Sequence, residues 1–175
     1  MPMRGTTKKL TAEQLWEFAL RALDRRAYAA RELRRKLSMR AETSAALDEV
    51  MKKLEEYKLL DDARFAESFA VSRMEGQGYG AQRVFRDLRA RSVGGKVAGD
   101  AIQRVYGEVE EVELAARFLK RKYRSKDLRE FLKEEKNLAS AYRRLRTGGF
   151  STAASIKALK EYTRQADELE SFEEA

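Results

Sequence analysis

Tyr28-Ala29-Ala30 is followed by Leu33 and Leu37, and 51 residues later Tyr79-Gly80-Ala81 is followed by Val84 and Leu88. A looser third copy runs through Ala141 and Leu145. Self-similarity at a fixed period makes a chain an array of like units, which excludes most irregular single-domain folds at once. Each copy leads into a further apolar segment, Leu37 to Val50, Leu88 to Ile102 and Leu145 to Ile156, across 13, 14 and 11 residues. Such gaps hold a turn and the first part of a following helix.

Helices suit the rest of the sequence. Pro2 is the only proline, and glycine falls largely into three clusters, so long stretches carry no breaker. Thr11 with Gln14 has the form of a capping box, and Leu15, Phe18, Ala22 and Leu23 continue at helical spacing. Further helices are predicted over 28–39, 44–57, from Asp61 or Asp62 to about Gly76, to about Arg91, over 96–106, 108–123, 136–146 and 151–162. Residues 124–135 read as helix or linker.

These nine helices fall into three groups of three. The reading is all-α: three tandem three-helix repeats, 11–60, 61–107 and 108–163, stacked into an elongated, curved array. A basic segment (1–10) precedes them and an acidic one (164–175) follows, both expected to be flexible. A unit of ~50 residues buries little surface alone, so neighbours are expected to share apolar contacts.

Chemistry is conspicuously missing. Without histidine the chain lacks the commonest general base and imidazole ligand; without cysteine it has no thiolate, no disulfide and no zinc–sulfur site. Carboxylates such as Glu55-Glu56 sit beside Lys52-Lys53 at surface spacing and read as solvated ion pairs. Gly94-Gly95-Lys96 fails as a phosphate loop, with Ala90 and Val97 at positions that need Gly and Ser or Thr. Gly76, Gly78 and Gly80 precede a helix but follow another helix, where the dinucleotide fingerprint follows a strand. No enzyme activity and no cofactor are expected. No apolar run approaches the ~20 residues that span a bilayer, and Met1 to Leu10 lacks the apolar core of a signal peptide, so a cytoplasmic location without membrane contact is expected.

Charge points to a partner. Residues 165–175 carry −5 from Asp167, Glu168, Glu170, Glu173 and Glu174; with a net charge of +8 overall, the other 164 residues carry +13. A body that basic attracts polyanions or acidic protein surfaces. On a helical wheel Leu33 and Leu37 mark the buried side, and Arg31, Arg34, Arg35 and Ser38 fall opposite. Gln82, Phe85, Arg86 and Arg89 hold the same outward positions in the second copy. In the third, Arg143 matches Arg35 and Arg86, and Arg146 matches Arg89. Aligned by stacking, these arginines would form a basic stripe suited to a phosphate backbone. Helix propensity and salt bridges between units explain the same recurrence equally simply. Phe85 could stack on a base or pack on the next unit.

The stretch Leu59-Leu60-Asp61-Asp62-Ala63-Arg64-Phe65-Ala66, continuing to Phe69-Ala70 and Ser72-Arg73, resembles the RecX family of RecA recombinase modulators. Gly76 to Gly78, Arg83, Leu88 and Val93 extend the resemblance. Tyr28, Ala30, Glu32, Leu33, Leu37 and Val50 match the family's first unit, and Gly149-Phe150-Ser151 with Ile156 and Leu159 its closing segment. Tyr79 stands where the family often has proline, and Ser92 where it often has glycine. The resemblance implies a helical array, here expected to be monomeric, that binds RecA filaments with single-stranded and also double-stranded DNA. It implies inhibition of RecA ATP hydrolysis and strand exchange, and so control of recombination and DNA repair in the SOS response. The alternative is a stand-alone DNA-binding protein using helix-turn-helix-like units. Against that alternative, Lys96, Asp100 and Gln103 would make a weakly basic recognition helix.

Overall fold

The computed structural model describes residues 9–166; most of the basic amino-terminal segment and of the acidic carboxy-terminal one lies outside the described residues. Among the described residues the fold is all-helical, with a single isolated bridge between Leu10 and Ala41. Ten helices follow in order: α1 (Ala12–Arg25), α2 (Ala30–Ser38), α3 (Ser44–Glu56), α4 (Asp62–Gln77), α5 (Ala81–Ala90), α6 (Gly95–Tyr106), α7 (Glu111–Lys122), α8 (Leu128–Phe131), α9 (Glu135–Gly148) and α10 (Thr152–Lys160). The tenth element relative to expectation is α8, one turn within the charged 124–135 stretch. It is started by Asp127, whose side chain accepts from the Arg129 amide, and held by burial of Leu128.

Contacts group the chain into two compact units, 1–66 with 89–98, and 67–88 with 99–175. The first has its core in α1, α2 and α3: Leu15, Leu33, Leu37, Val50 and Leu54 are buried together, with Trp16 and Phe18 packed against them. Local sequence sets the ends of these helices. Thr11 and Gln14 form the reciprocal capping box, and Thr43 accepts from the Ala46 amide at 3.1 Å.

Helix α2 is different. Its N-cap is Ala29, which has no side chain to offer, and Tyr28 and Ala29 stay out of the helix that periodicity predicts from residue 28. The missing acceptor comes from Asp62, whose Oδ1 takes the Ala30 amide at 2.7 Å. Asp61 meanwhile caps α4, accepting from the Arg64 amide at 2.9 Å. The Asp-Asp pair thus serves two helices. Glu32, largely buried on α2, accepts from Arg26 at 2.9 Å and lies 3.7 Å from Arg91. Its hydrogen bond and charge raise the pKa of Arg26.

The second unit is built on α7, α9 and α10, with Phe118, Leu119, Leu132, Leu145, Phe150, Ile156, Leu159 and Ala166 in its core. Phe118 lies 5.4 Å from Phe150 and 6.4 Å from Tyr79, ring centre to ring centre. Helix α9 ends at Gly149, which takes the left-handed conformation at φ 96°. Two glycines then let two backbones meet. Gly80 and Gln82 at the start of α5 donate to the carbonyls of Gly148 (2.9 Å) and Gly149 (3.3 Å). A Cβ on Gly80 would stand 2.4 Å from the Gly149 oxygen, and one on Gly149 2.4 Å from the Arg83 nitrogen. The negative end of α9 is therefore set directly on the positive end of α5.

Candidate functional site

The eight residues singled out by the sequence fall into both units, and the structure sorts them by what their side chains do. In the first unit, Arg31 and Arg35 are exposed on α2. Arg34, also on α2, is paired with Asp48 of α3 at 2.5 Å, so its charge is locally balanced. Arg89 keeps its outward position but folds back, donating from Nη1 to the Val93 carbonyl at 2.6 Å.

In the second unit Arg146, the repeat equivalent of Arg89, makes the same bond to the carbonyl four residues on, Phe150 O, also at 2.6 Å. Twice, then, an arginine at this position closes the loop after its helix by capping a carbonyl. That structural duty explains its recurrence without a ligand. Arg143 is exposed on α9, and Arg86 is exposed on α5 beside half-buried Phe85.

Three of the eight residues come together. Phe85, Arg86 and Arg146 line one open cleft of about 520 Å³ in the second unit, with Gln82, Gly99 and Ile102 completing the wall. A second cleft of about 310 Å³ shares Ala81, Gln82 and Ile102 with it and continues past Gln103 and Tyr106 to Glu111 and Ser151. The two form one groove. Its floor is apolar, its sides carry the Gln82 and Gln103 amides, and the Arg86–Arg146 end is cationic. The far end is closed chemically, because Glu111 accepts both the amide and the hydroxyl of Ser151 at 2.7 Å. The Tyr106 hydroxyl donates to the Tyr79 carbonyl at 2.8 Å, and burial pushes its pKa well above the usual value.

Sequence reasoning missed Gly99 and Ile102. A helix-interior glycine costs about 0.5–1 kcal/mol relative to alanine, so Gly99 in the middle of α6 was a signal. A Cβ there would meet nothing within 4 Å, and the open space above it is the cleft. Among the described residues no group of three or more His, Cys, Asp or Glu could hold a metal ion. No described helix is long and apolar enough to cross a membrane.

Residues 61–102 match the family model described as "RecX, second three-helix domain". The chain is 36% identical over 125 residues to the regulatory protein RecX of Chromohalobacter salexigens, covering 70% of this chain and 80% of that one. It is 31% identical over 164 residues to RecX of Deinococcus radiodurans, covering 91% and 74%. The match to RecX of Halorhodospira halophila is 38% identical over 92 residues and spans 56% of that protein. Among solved structures, RecX from Lactobacillus salivarius superposes with a TM-score of 0.66 at 20% identity, covering 86% of this chain and 96% of that one. A second RecX crystal structure gives 0.67 at 23%, covering 86% and 73%. At those identities the two structures speak for the fold.

Proposed function

The chain belongs to the RecX family of regulatory proteins, and on that premise we propose that it binds RecA–DNA filaments and inhibits RecA ATP hydrolysis and strand exchange. A regulator of this kind needs binding energy and no chemistry of its own. The reading is supported by a residue set that offers cationic and aromatic contacts without any metal-holding cluster. Contact through several weakly binding faces suits a repetitive target, because each engaged face raises the effective concentration of the next.

The observation that carries the reading is the neighbourhood of Arg86. It is exposed, stands beside half-buried Phe85, and borders an open apolar groove, so it can meet a phosphate while its neighbour meets a ring or an aliphatic side chain. Arg31, Arg35 and Arg143 add exposed positive charge; Arg34, Arg89 and Arg146 are committed in part to Asp48, Val93 and Phe150. Binding is accordingly assigned to Arg31, Arg35, Phe85, Arg86 and Arg143 before the others. The protein acts in recombination and DNA repair within the cytoplasm under this reading.

The test is RecA ATP hydrolysis on single-stranded DNA while the chain is titrated in. Wild type should suppress turnover at less than one chain per RecA protomer, and the Arg86→Glu/Arg143→Glu variant should need about tenfold more. Absence of suppression, with salt-sensitive binding to DNA alone, would instead identify a stand-alone DNA-binding protein.

A further inference from the structure

The groove of the second unit is an unusual binding surface for nucleic acid alone. Its floor is apolar over most of its length, and its positive charge sits at one end. A ligand that filled it would carry apolar side chains along its length and carboxylates at the Arg86–Arg146 end. Its backbone could meet the Gln82 and Gln103 amides on the walls.

The chain itself contains such a segment. After Ala166 the sequence continues Asp167-Glu168-Leu169-Glu170-Ser171-Phe172-Glu173-Glu174-Ala175, which places Leu169 and Phe172 among five carboxylates. Ala166 is fully buried in the core of the second unit, so this segment is rooted in the unit that holds the groove. Reach is sufficient. Ser151, which lines the groove, is the N-cap of α10, and nine helical residues cover about 14 Å. Nine extended residues reach about 30 Å, enough to return along α10 and lie in the groove.

We propose that residues 167–175 dock in this groove in cis, with Phe172 against the apolar floor near Phe85 and Ile102 and Glu173 or Glu174 paired with Arg86. A tail tethered this close has an effective concentration in the millimolar range, so even weak intrinsic affinity keeps the groove occupied. The groove includes Arg86 and Phe85, so a docked tail competes with the filament for them and sets a threshold for engagement. That last consequence rests on the proposed filament-binding reading; docking itself does not.

The experiment therefore uses no RecA. A fluorescently labelled peptide of residues 167–175 is titrated against the full chain, against a full chain with Glu168→Gln, Glu170→Gln, Glu173→Gln and Glu174→Gln, and against that variant carrying Arg86→Glu as well. Circular dichroism checks that all three keep the same helix content. The peptide should bind the neutralised chain about tenfold more tightly than wild type, whose own tail competes, and adding Arg86→Glu should remove that gain. A Phe172→Ala peptide should bind about tenfold more weakly than the parent. Equal binding to wild type and the neutralised chain would overturn the proposal. So would indifference to Arg86→Glu, or equal binding of the Phe172→Ala peptide, which would mean diffuse attraction to a basic body. If docking holds while RecA suppression fails, the groove assignment survives and only the filament reading falls.

Discussion

Asp62 accepts the amide hydrogen of Ala30 at 2.7 Å, so the first turn of α2 is capped by a carboxylate that lies 32 residues further along the chain. Its neighbour Asp61 caps the helix in which Asp62 itself begins. Two adjacent, chemically identical side chains thereby hold two different helix starts.

Asp62→Ala leaves the Ala30 amide half-buried without its acceptor and should cost about 1–2 kcal/mol in urea unfolding. Asp62→Asn, which keeps an acceptor oxygen and loses the charge, should cost less than half of that. Equal costs for the two variants would show that charge, and not the hydrogen bond, matters.

Gly80→Ala should be among the most damaging single substitutions in the second unit. The added methyl would stand 2.4 Å from a backbone oxygen that is itself held by a left-handed glycine, and neither side can retreat cheaply. A loss of about 3 kcal/mol is expected in thermal or urea unfolding. Gly76→Ala, inside α4 with nothing within 4 Å of the new Cβ, should instead be neutral or stabilising by about 0.5–1 kcal/mol.

Ser92 adopts φ 67° in the turn between α5 and α6, a conformation that costs a residue bearing a Cβ about 1–2 kcal/mol. Ser92→Gly should therefore raise the unfolding midpoint, with a net gain of about 0.5–1 kcal/mol after glycine's own entropy cost. A lowered midpoint would mean that the serine side chain contributes more than its backbone costs.

Alkaline pH should weaken the fold through Tyr106. Its hydroxyl is held neutral by burial, so its folded pKa lies above the ordinary value of about 10. The proton is bound more tightly in the folded state, so this contribution is fully present below about pH 10 and is lost as the pH rises beyond it. Tyr106→Phe, though it forfeits the bond to the Tyr79 carbonyl, should flatten the fall in stability above pH 10. An unchanged slope would remove Tyr106 as its source.

What could be read from the sequence was whatever depended on neighbours in the chain. The Thr11–Gln14 box, the Asp61 cap, the helical stop at Gly149 and the buried Leu33 and Leu37 all follow from residues within one or two turns. The Asp62–Ala30 bond could not be read, because its two ends are brought together only by the packing of α1 to α4. Arg89 and Arg146 were legible as a recurrent outward position but not in purpose. A helical wheel gives the direction of a Cβ and says nothing of a long side chain that curls back to a carbonyl four residues away. The groove escaped for a related reason: Gly99 and Ile102 shape it from a helix that the repeat comparison treated only as a partner for core packing.

The meeting of Gly80 with Gly148 also sets a timetable. The amides that open α5 have their carbonyl partners 68 residues downstream, so during synthesis they wait on water until the end of α9 has been made. At ribosomal speeds of about 5–20 residues per second that interval is roughly 3–14 seconds, long compared with the microseconds a helix needs to form. The middle of the chain is thus born before the element that finishes it, and a protein truncated short of residue 148 would carry an α5 that begins with no partner for its first turn.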